Sequence, residues 1–205
     1  AEMPDFYQAG EYDLAGTIIG VVDREKIVDG SAVRDGDVII ALKASGLHTN
    51  GYSLVRKLLV DSGKYRLDQW IDSLEKTLAD VLLEPHRCYG GAVRKLLERG
   101  IVHGMAHITG GGLTENIPRI LPKTLAAEID LKSWRPLPVF QFIQREGSVS
   151  QGEMLRTFNM GVGMVLIVSP AGEAETLAFL GRKGESAWKL GRIIPGTGKV
   201  TYLQT

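Results

Sequence analysis

Apolar residues along this chain switch between two spacings, and the switches mark the elements. Asp37-Val-Ile-Ile-Ala-Leu42 is a short β-branched and aliphatic run launched by a Gly-containing turn, which predicts a buried strand. Leu54, Val55, Leu58 and Leu59 then recur at helical spacing and predict a helix over 51–62. Leu74, Leu78, Val81 and Leu82 predict another over 74–83, stopped before Pro85 because a proline disfavours helical geometry in the residue ahead of it. A third helix is expected over 89–99, ended by Gly100, followed by a strand carrying Ile101, Val102, Met105 and Ile108. Beyond it the pattern predicts a short helix at 115–121, a strand at 126–131, and a helix at 138–144 with Val139, Phe140 and Ile143 on one face. A short helix at 150–157 has Ser150 as N-cap and Glu153 placed for a capping box. Strand 162–168, helix 170–181 and closing strands at 187–194 and 199–203 complete the series. Upstream, Leu14–Val22 is apolar and β-branched and reads as a strand, and Asp23–Asp35 as a charged connection. Strands and helices alternate imperfectly, so the expected class is α+β or a mixed-sheet α/β.

Chemistry concentrates where predicted strands run into polar, Gly-bearing turns. The turn after strand 37–42 holds Ser45, Gly46, His48, Thr49, Asn50, Gly51 and Ser53. The second turn is His107-Ile-Thr-Gly-Gly-Gly-Leu-Thr-Glu-Asn-Ile-Pro-Arg119, and a third places Asn159, Gly161 and Gly163 at the mouth of strand 162–168. A strand, a glycine turn and a helix N-terminus make a natural anion cradle of bare amides. Thr109 and Thr114 offer hydroxyls there, Arg119 a fixed charge, and Gly110, Gly111 and Gly112 the close approach. The competing reading is conformational: a tight turn with Thr114 as N-cap, Glu115 and Asn116 opening a helix, and asparagines in left-handed geometry. The run matches neither the Walker nor the Rossmann glycine pattern. His48, in a polar turn rather than on an apolar face, is the candidate for acid–base assistance. His107 is either a packing residue or part of the site, and His86 and His103 read as structural or exposed.

Composition narrows the partners. Lysine plus arginine and aspartate plus glutamate number 24 each, so no charge excess draws the chain to nucleic acid or an anionic membrane. No apolar run approaches the 18 or so residues of a membrane span. The single cysteine, Cys88, forms no internal disulfide and fits a reducing cytoplasm or a small core position. Histidine and cysteine spacing argues against a zinc site. Asp5, Glu11 and Asp13 read as an acidic surface loop, and Trp70, Trp134 and Trp188 as apolar packing.

Ser45-Gly-Leu-His-Thr-Asn-Gly-Tyr-Ser-Leu-Val-Arg-Lys57, His107–Arg119 and Phe158-Asn-Met-Gly-Val-Gly-Met164, in this order, resemble the aminoimidazole ribonucleotide synthetase (phosphoribosylformylglycinamidine cyclo-ligase) family. Ala1-Glu-Met-Pro4 and Gly10–Gly16 resemble its central segment, with weaker likeness over 64–78 and 171–184. The resemblance implies α+β, a mixed sheet with packed helices. It also implies a remnant of an N-terminal domain and linker at 1–32 and a C-terminal synthetase domain at 33–205. It implies ATP-dependent ring closure of formylglycinamidine ribonucleotide, a cytoplasmic homodimer, and ATP and Mg²⁺ held mainly by a preceding domain, so that this chain alone is expected to be inactive. The expected site residues are His48 for catalysis, with Ser45, Gly46, Thr49, Asn50, Gly51, His107, Thr109, Gly110, Gly111, Gly112, Glu115, Asn116, Arg119 and Asn159 for substrate and phosphate. The metal ligands stay unassigned. The alternatives are a related synthetase, such as formylglycinamidine ribonucleotide synthetase, or a non-catalytic binding module.

Overall fold

A computed structural model describes Gly10, Tyr12 and residues 16–203. Its centre is a six-stranded sheet in the order β4-β6-β1-β7-β5-β8. The strands are β1 Val38–Lys43, β4 Val102–His107, β5 Leu125–Asp130, β6 Val162–Val168, β7 Ala187–Pro195 and β8 Val200–Leu203. All neighbours pair antiparallel except β5 with β8, which makes the sheet mixed. β2 Trp70–Ile71 and β3 Lys76–Thr77 form a separate ribbon. The class is α+β, as the residue pattern and the resemblance together indicated.

β1 and β6 are central and covered on both faces, so their sequences are continuous apolar runs rather than alternating ones. Period two still sorts them. Ile39, Ala41, Val165 and Ile167 enter one core with Ile108, Leu113 and Ile117. Val38, Ile40, Leu42, Leu166 and Val168 enter another, against Ala92, Val93 and Leu96 of α3 (Gly90–Leu97) and Phe179 and Leu180 of α7 (Glu173–Arg182). A third core joins α1 (Tyr52–Val55, continued as a π-helical turn Arg56–Val60), α2 (Leu78–Leu82), α5 (Pro138–Gly147) and α6 (Gln151–Thr157). Burying a leucine or phenylalanine such as Leu59, Phe140 or Phe158, all fully enclosed, stabilises by about 1.5–3 kcal/mol each.

Local signals explain the boundaries. Pro138 takes the first turn of α5, where its missing N–H costs nothing. The Ser150 hydroxyl accepts the Glu153 amide at the start of α6. Ser169 caps the entry to α7 in the same way through Gly172.

Four expectations change. Residues 74–77 are not helical: a 3-10 turn at Asp72–Leu74 and strand β3 precede α2, and Glu75 adopts left-handed geometry there. Residues 16–22 of the apolar Leu14–Val22 segment form no strand and are exposed, with Ile18 and Val21 almost fully so. A strand needs a partner edge, and none of the described strands offers one to this segment; Leu14 lies outside the described residues, as do Asp5, Glu11 and Asp13. Trp70 is exposed at 58% rather than packed. Cys88 is exposed rather than in a core. No described helix is long and apolar enough to cross a membrane.

Candidate functional site

The two polar turns leave the same end of the sheet, because β1 and β4 both flank β6 and both pair antiparallel to it. The ladder of β1 with β6 slips between Leu42 and Lys43, and the chain then turns through Ser45–Gly51. His48 and Thr49 are both left-handed, with φ of 54° and 63°. Such geometry costs an ordinary residue roughly 1 kcal/mol and persists only where neighbours enforce it. Here the Asn50 amide donates to the His48 carbonyl at 2.6 Å. The buried Asn159 amide donates to the Gly46 and Leu47 carbonyls at 3.0 and 3.3 Å, and its side-chain oxygen accepts the Gly161 N–H at 2.7 Å. The Trp134 indole donates to the Met160 carbonyl at 2.9 Å, so the turn beside Asn159 is itself anchored.

The glycine turn is built as tightly. Gly111 and Gly112 both have positive φ, 96° and 56°, and a Cβ on Gly112 would lie 2.1 Å from the Leu155 carbonyl oxygen. Gly111, not Thr114, caps α4 (Gly112–Asn116), and a 3-10 turn Ile117–Ile120 continues it, so the helix opens three residues earlier than expected. The buried Asn116 amide donates to the carbonyls of Thr109, Gly110 and Gly112, and its oxygen accepts the Thr109 hydroxyl. The Thr114 hydroxyl bonds the Tyr202 hydroxyl at 2.7 Å. Both threonine hydroxyls are therefore engaged in holding the turn. Among the described residues, the N–H groups of Gly111, Leu113 and Thr114 meet no acceptor.

The turns meet directly. Asn50 Oδ1 accepts the Gly110 N–H at 2.8 Å, across 60 residues of sequence. Three imidazoles converge beside this junction. His48 is buried, stacked on His86 with centroids 4.0 Å apart, and His86 Nε2 lies 3.0 Å from His107 Nε2. His48 Nε2 accepts the backbone N–H of Ser45 at 3.0 Å and of Arg87 at 3.4 Å, which places the ring hydrogen on Nδ1, where it has no partner. Burial, then the neighbouring His86, His107 and Arg87, push the His48 pKa down from 6.5 to about 4. Burial and His86 also lower His107. His48 is thus a neutral imidazole at physiological pH.

The structure thus joins Ser45, Gly46, His48, Thr49, Asn50 and Gly51 to His107, Thr109, Gly110, Gly111, Gly112 and Asn116 in one region. Glu115 leans over Gly111 and pairs with Arg156 at 3.5 Å, both exposed. Arg119 is placed elsewhere: it lines a separate cleft with Asp29, Gly30, Ser31 and Pro122, because the 3-10 turn carries it away from the glycines. Asn116 and Asn159 hold backbone rather than presenting open amides. Sequence reasoning missed His86, which lies on the irregular connector between α2 and α3, and Arg156, on the neighbouring helix α6. Neither has a local motif; only tertiary packing brings them to the turns.

Residues 34–204 match the family described as AIR synthase related protein, C-terminal domain, and the chain belongs to that family. It is 51% identical over 197 residues to the phosphoribosylformylglycinamidine cyclo-ligase of Nitrosococcus oceani, covering 96% of this chain and 54% of that protein. The protein of the same name from Alkaliphilus metalliredigens is 43% identical over 204 residues, covering 100% of this chain and 59% of that one. The chain therefore spans just over half the length of these relatives. Among solved structures, the thiamine-monophosphate kinase of Stenotrophomonas maltophilia superposes with a TM-score of 0.61 at 16% identity, over 88% of this chain and 54% of that one. Phosphoribosylformylglycinamidine synthase II of Thermotoga maritima gives 0.51 at 19% identity, over 86% of this chain and 25% of that one. At such identities the likeness is one of fold.

Proposed function

We propose that this chain supplies the C-terminal portion of an ATP-dependent cyclo-ligase that converts formylglycinamidine ribonucleotide into aminoimidazole ribonucleotide in purine biosynthesis. The observation that carries the reading is the Asn50–Gly110 junction, where two turns with strained or glycine backbone share one hydrogen bond. Strain of this kind is retained where a ligand needs the backbone presented in one way. The name carried by the relatives supports the same reaction.

Ring closure of this type needs positioning and charge stabilisation more than covalent chemistry from the protein. ATP supplies the phosphoryl group that turns an amide oxygen into a leaving group. The chain's own residues bind and orient the ribonucleotide: the amides of Gly111, Leu113 and Thr114 present donors to a phosphate, and Asn50 fixes their direction. His48, neutral, holds Ser45 and the Arg87 backbone in register rather than carrying charge to the phosphate. ATP and Mg²⁺ would be held chiefly by a preceding domain, with residues 1–32 associated with it and 33–205 forming the C-terminal domain. A cytoplasmic homodimer acting on small molecules, without nucleic acid or membrane, completes the reading.

The test is substrate-dependent ADP release by the intact protein carrying that preceding domain. Asn50→Ala should lower kcat/KM for the ribonucleotide at least tenfold, with KM for ATP little changed. Full activity in Asn50→Ala, or no turnover by the intact wild-type protein, would overturn the assignment.

A further inference from the structure

We propose that His48, His86 and His107 form a binding site for a divalent transition metal such as Zn²⁺. One ligand nitrogen from each of the three lies within 4.8 Å of the others. A tetrahedral zinc with Zn–N bonds of about 2.0–2.1 Å sets its nitrogens roughly 3.3 Å apart, so separations of up to 4.8 Å must close to meet it. The His86 and His107 nitrogens already stand 3.0 Å apart.

Access suits the cluster to metal. His86 and His107 are exposed and leave an approach from solvent, whereas His48 forms a fixed floor. His48 would ligate through Nε2, exchanging the Ser45 and Arg87 N–H groups for the metal, while its buried Nδ1 keeps the ring hydrogen. A set of three histidines with an approachable side is the donor arrangement of open zinc sites, and imidazole also suits copper and nickel.

One movement is required. A ligand lone pair lies in the ring plane, and the His86 ring stacks on His48, so His86 must turn to face the shared centre. It sits in the irregular 84–89 segment between α2 and α3, where no ladder or helix resists that turn. The nearby Arg87 guanidinium opposes a cation, but Glu185 pairs with it at 2.9 Å. The site differs from the one proposed for the ribonucleotide in chemistry: nitrogen ligands select transition metals, and Mg²⁺, which demands oxygen, should not compete.

The experiment is titration of the metal-free full-length protein with Co²⁺ alone, read by its visible d–d absorption, followed by competition with Zn²⁺ and with millimolar Mg²⁺. One tightly bound Co²⁺ displaced by Zn²⁺ and not by Mg²⁺ is expected. His86→Ala and His107→Gln should each weaken binding at least tenfold while melting within a few degrees of wild type. Cys88→Ser should bind like wild type, since its thiol is exposed two residues from His86 yet outside the cluster. No stoichiometric binding by the wild type, equal affinity in both histidine variants, or loss of binding in Cys88→Ser would overturn the proposal. Because the readout is metal binding, it stands or falls apart from cyclo-ligase activity.

Discussion

Substituting Gly112 and Gly110 by alanine separates the packing of the glycine turn from its use. At Gly112 an added Cβ would lie 2.1 Å from the Leu155 carbonyl oxygen and 2.8 Å from that of Phe158, at a φ of 56°. Both obstacles are backbone of α6 and its exit, so neither can swing aside as a flexible side chain would. Left-handed geometry costs an alanine about 1–2 kcal/mol, and forcing a methyl into packed structure about 1–3 more. Together these come to roughly 2–5 kcal/mol, which for a domain of this size lowers Tm by on the order of 5–15 °C. At Gly110 φ is negative and the nearest atom is Asn50 Oδ1 at 3.6 Å, an ordinary contact. Gly110→Ala should therefore melt within about 1–2 °C of wild type, while its methyl stands at the mouth of the junction and weakens ribonucleotide binding. The two variants would be compared by differential scanning calorimetry and by substrate titration of the intact protein. Gly112→Ala melting with the wild type would refute the packing argument, and Gly110→Ala binding substrate with unchanged affinity would refute the role given to the junction.

Three further outcomes follow from the geometry. Asn159→Ala leaves the Gly46 and Leu47 carbonyls and the Gly161 amide without their buried partner, and should cost on the order of 2–4 kcal/mol in urea unfolding; a loss under 1 kcal/mol would contradict it. His48, held near 4 when folded and near 6.5 when unfolded, binds more protons in the unfolded state between those values, so its contribution of about 3 kcal/mol is complete above pH 6.5 and is lost as pH falls towards 4. Stability curves of wild type and His48→Gln should thus converge between pH 7 and 4, and parallel curves would rule this out. Gly163→Ala drives a methyl to 1.9 Å from the Tyr89 hydroxyl and 2.9 Å from His48 Cε1; the His48 ring resonances should shift by NMR, and an unchanged spectrum would show that the ring is not held as described.

The sheet was largely readable before the structure because its strands are long apolar runs ended by polar, Gly-bearing turns; strand 162–168 coincides with β6 to the residue. The helix predicted over 74–83 exists from Leu78 to Leu82 but starts later than expected, because Leu74 falls at helical spacing from Leu78 although it belongs to a 3-10 turn closed by a left-handed Glu75. The turns were legible as a pair of cradles, and the structure joins them. The functions of individual polar groups were not legible, since an asparagine that grips three carbonyls and one that faces solvent look alike in sequence. Asn116 grips three carbonyls, Asn159 two carbonyls and one amide, and Asn50 joins the two turns. His86 was invisible for a different reason: its neighbours, His48 and His107, are 38 and 21 positions away, and stacking of rings leaves no spacing rule.

The anchoring of Trp134 to the Met160 carbonyl has a spectroscopic consequence. Its indole reports on the segment that aims Asn159, whereas Trp70 is open to solvent and Trp188 has a buried, unpartnered ring nitrogen. Three fluorophores in three settings should divide under acrylamide quenching, the first to go being Trp70. With Trp70 replaced by phenylalanine, the remaining emission comes from Trp134 and Trp188, and a change in it on adding a nucleotide would register a rearrangement of the 159–161 turn without any attached label.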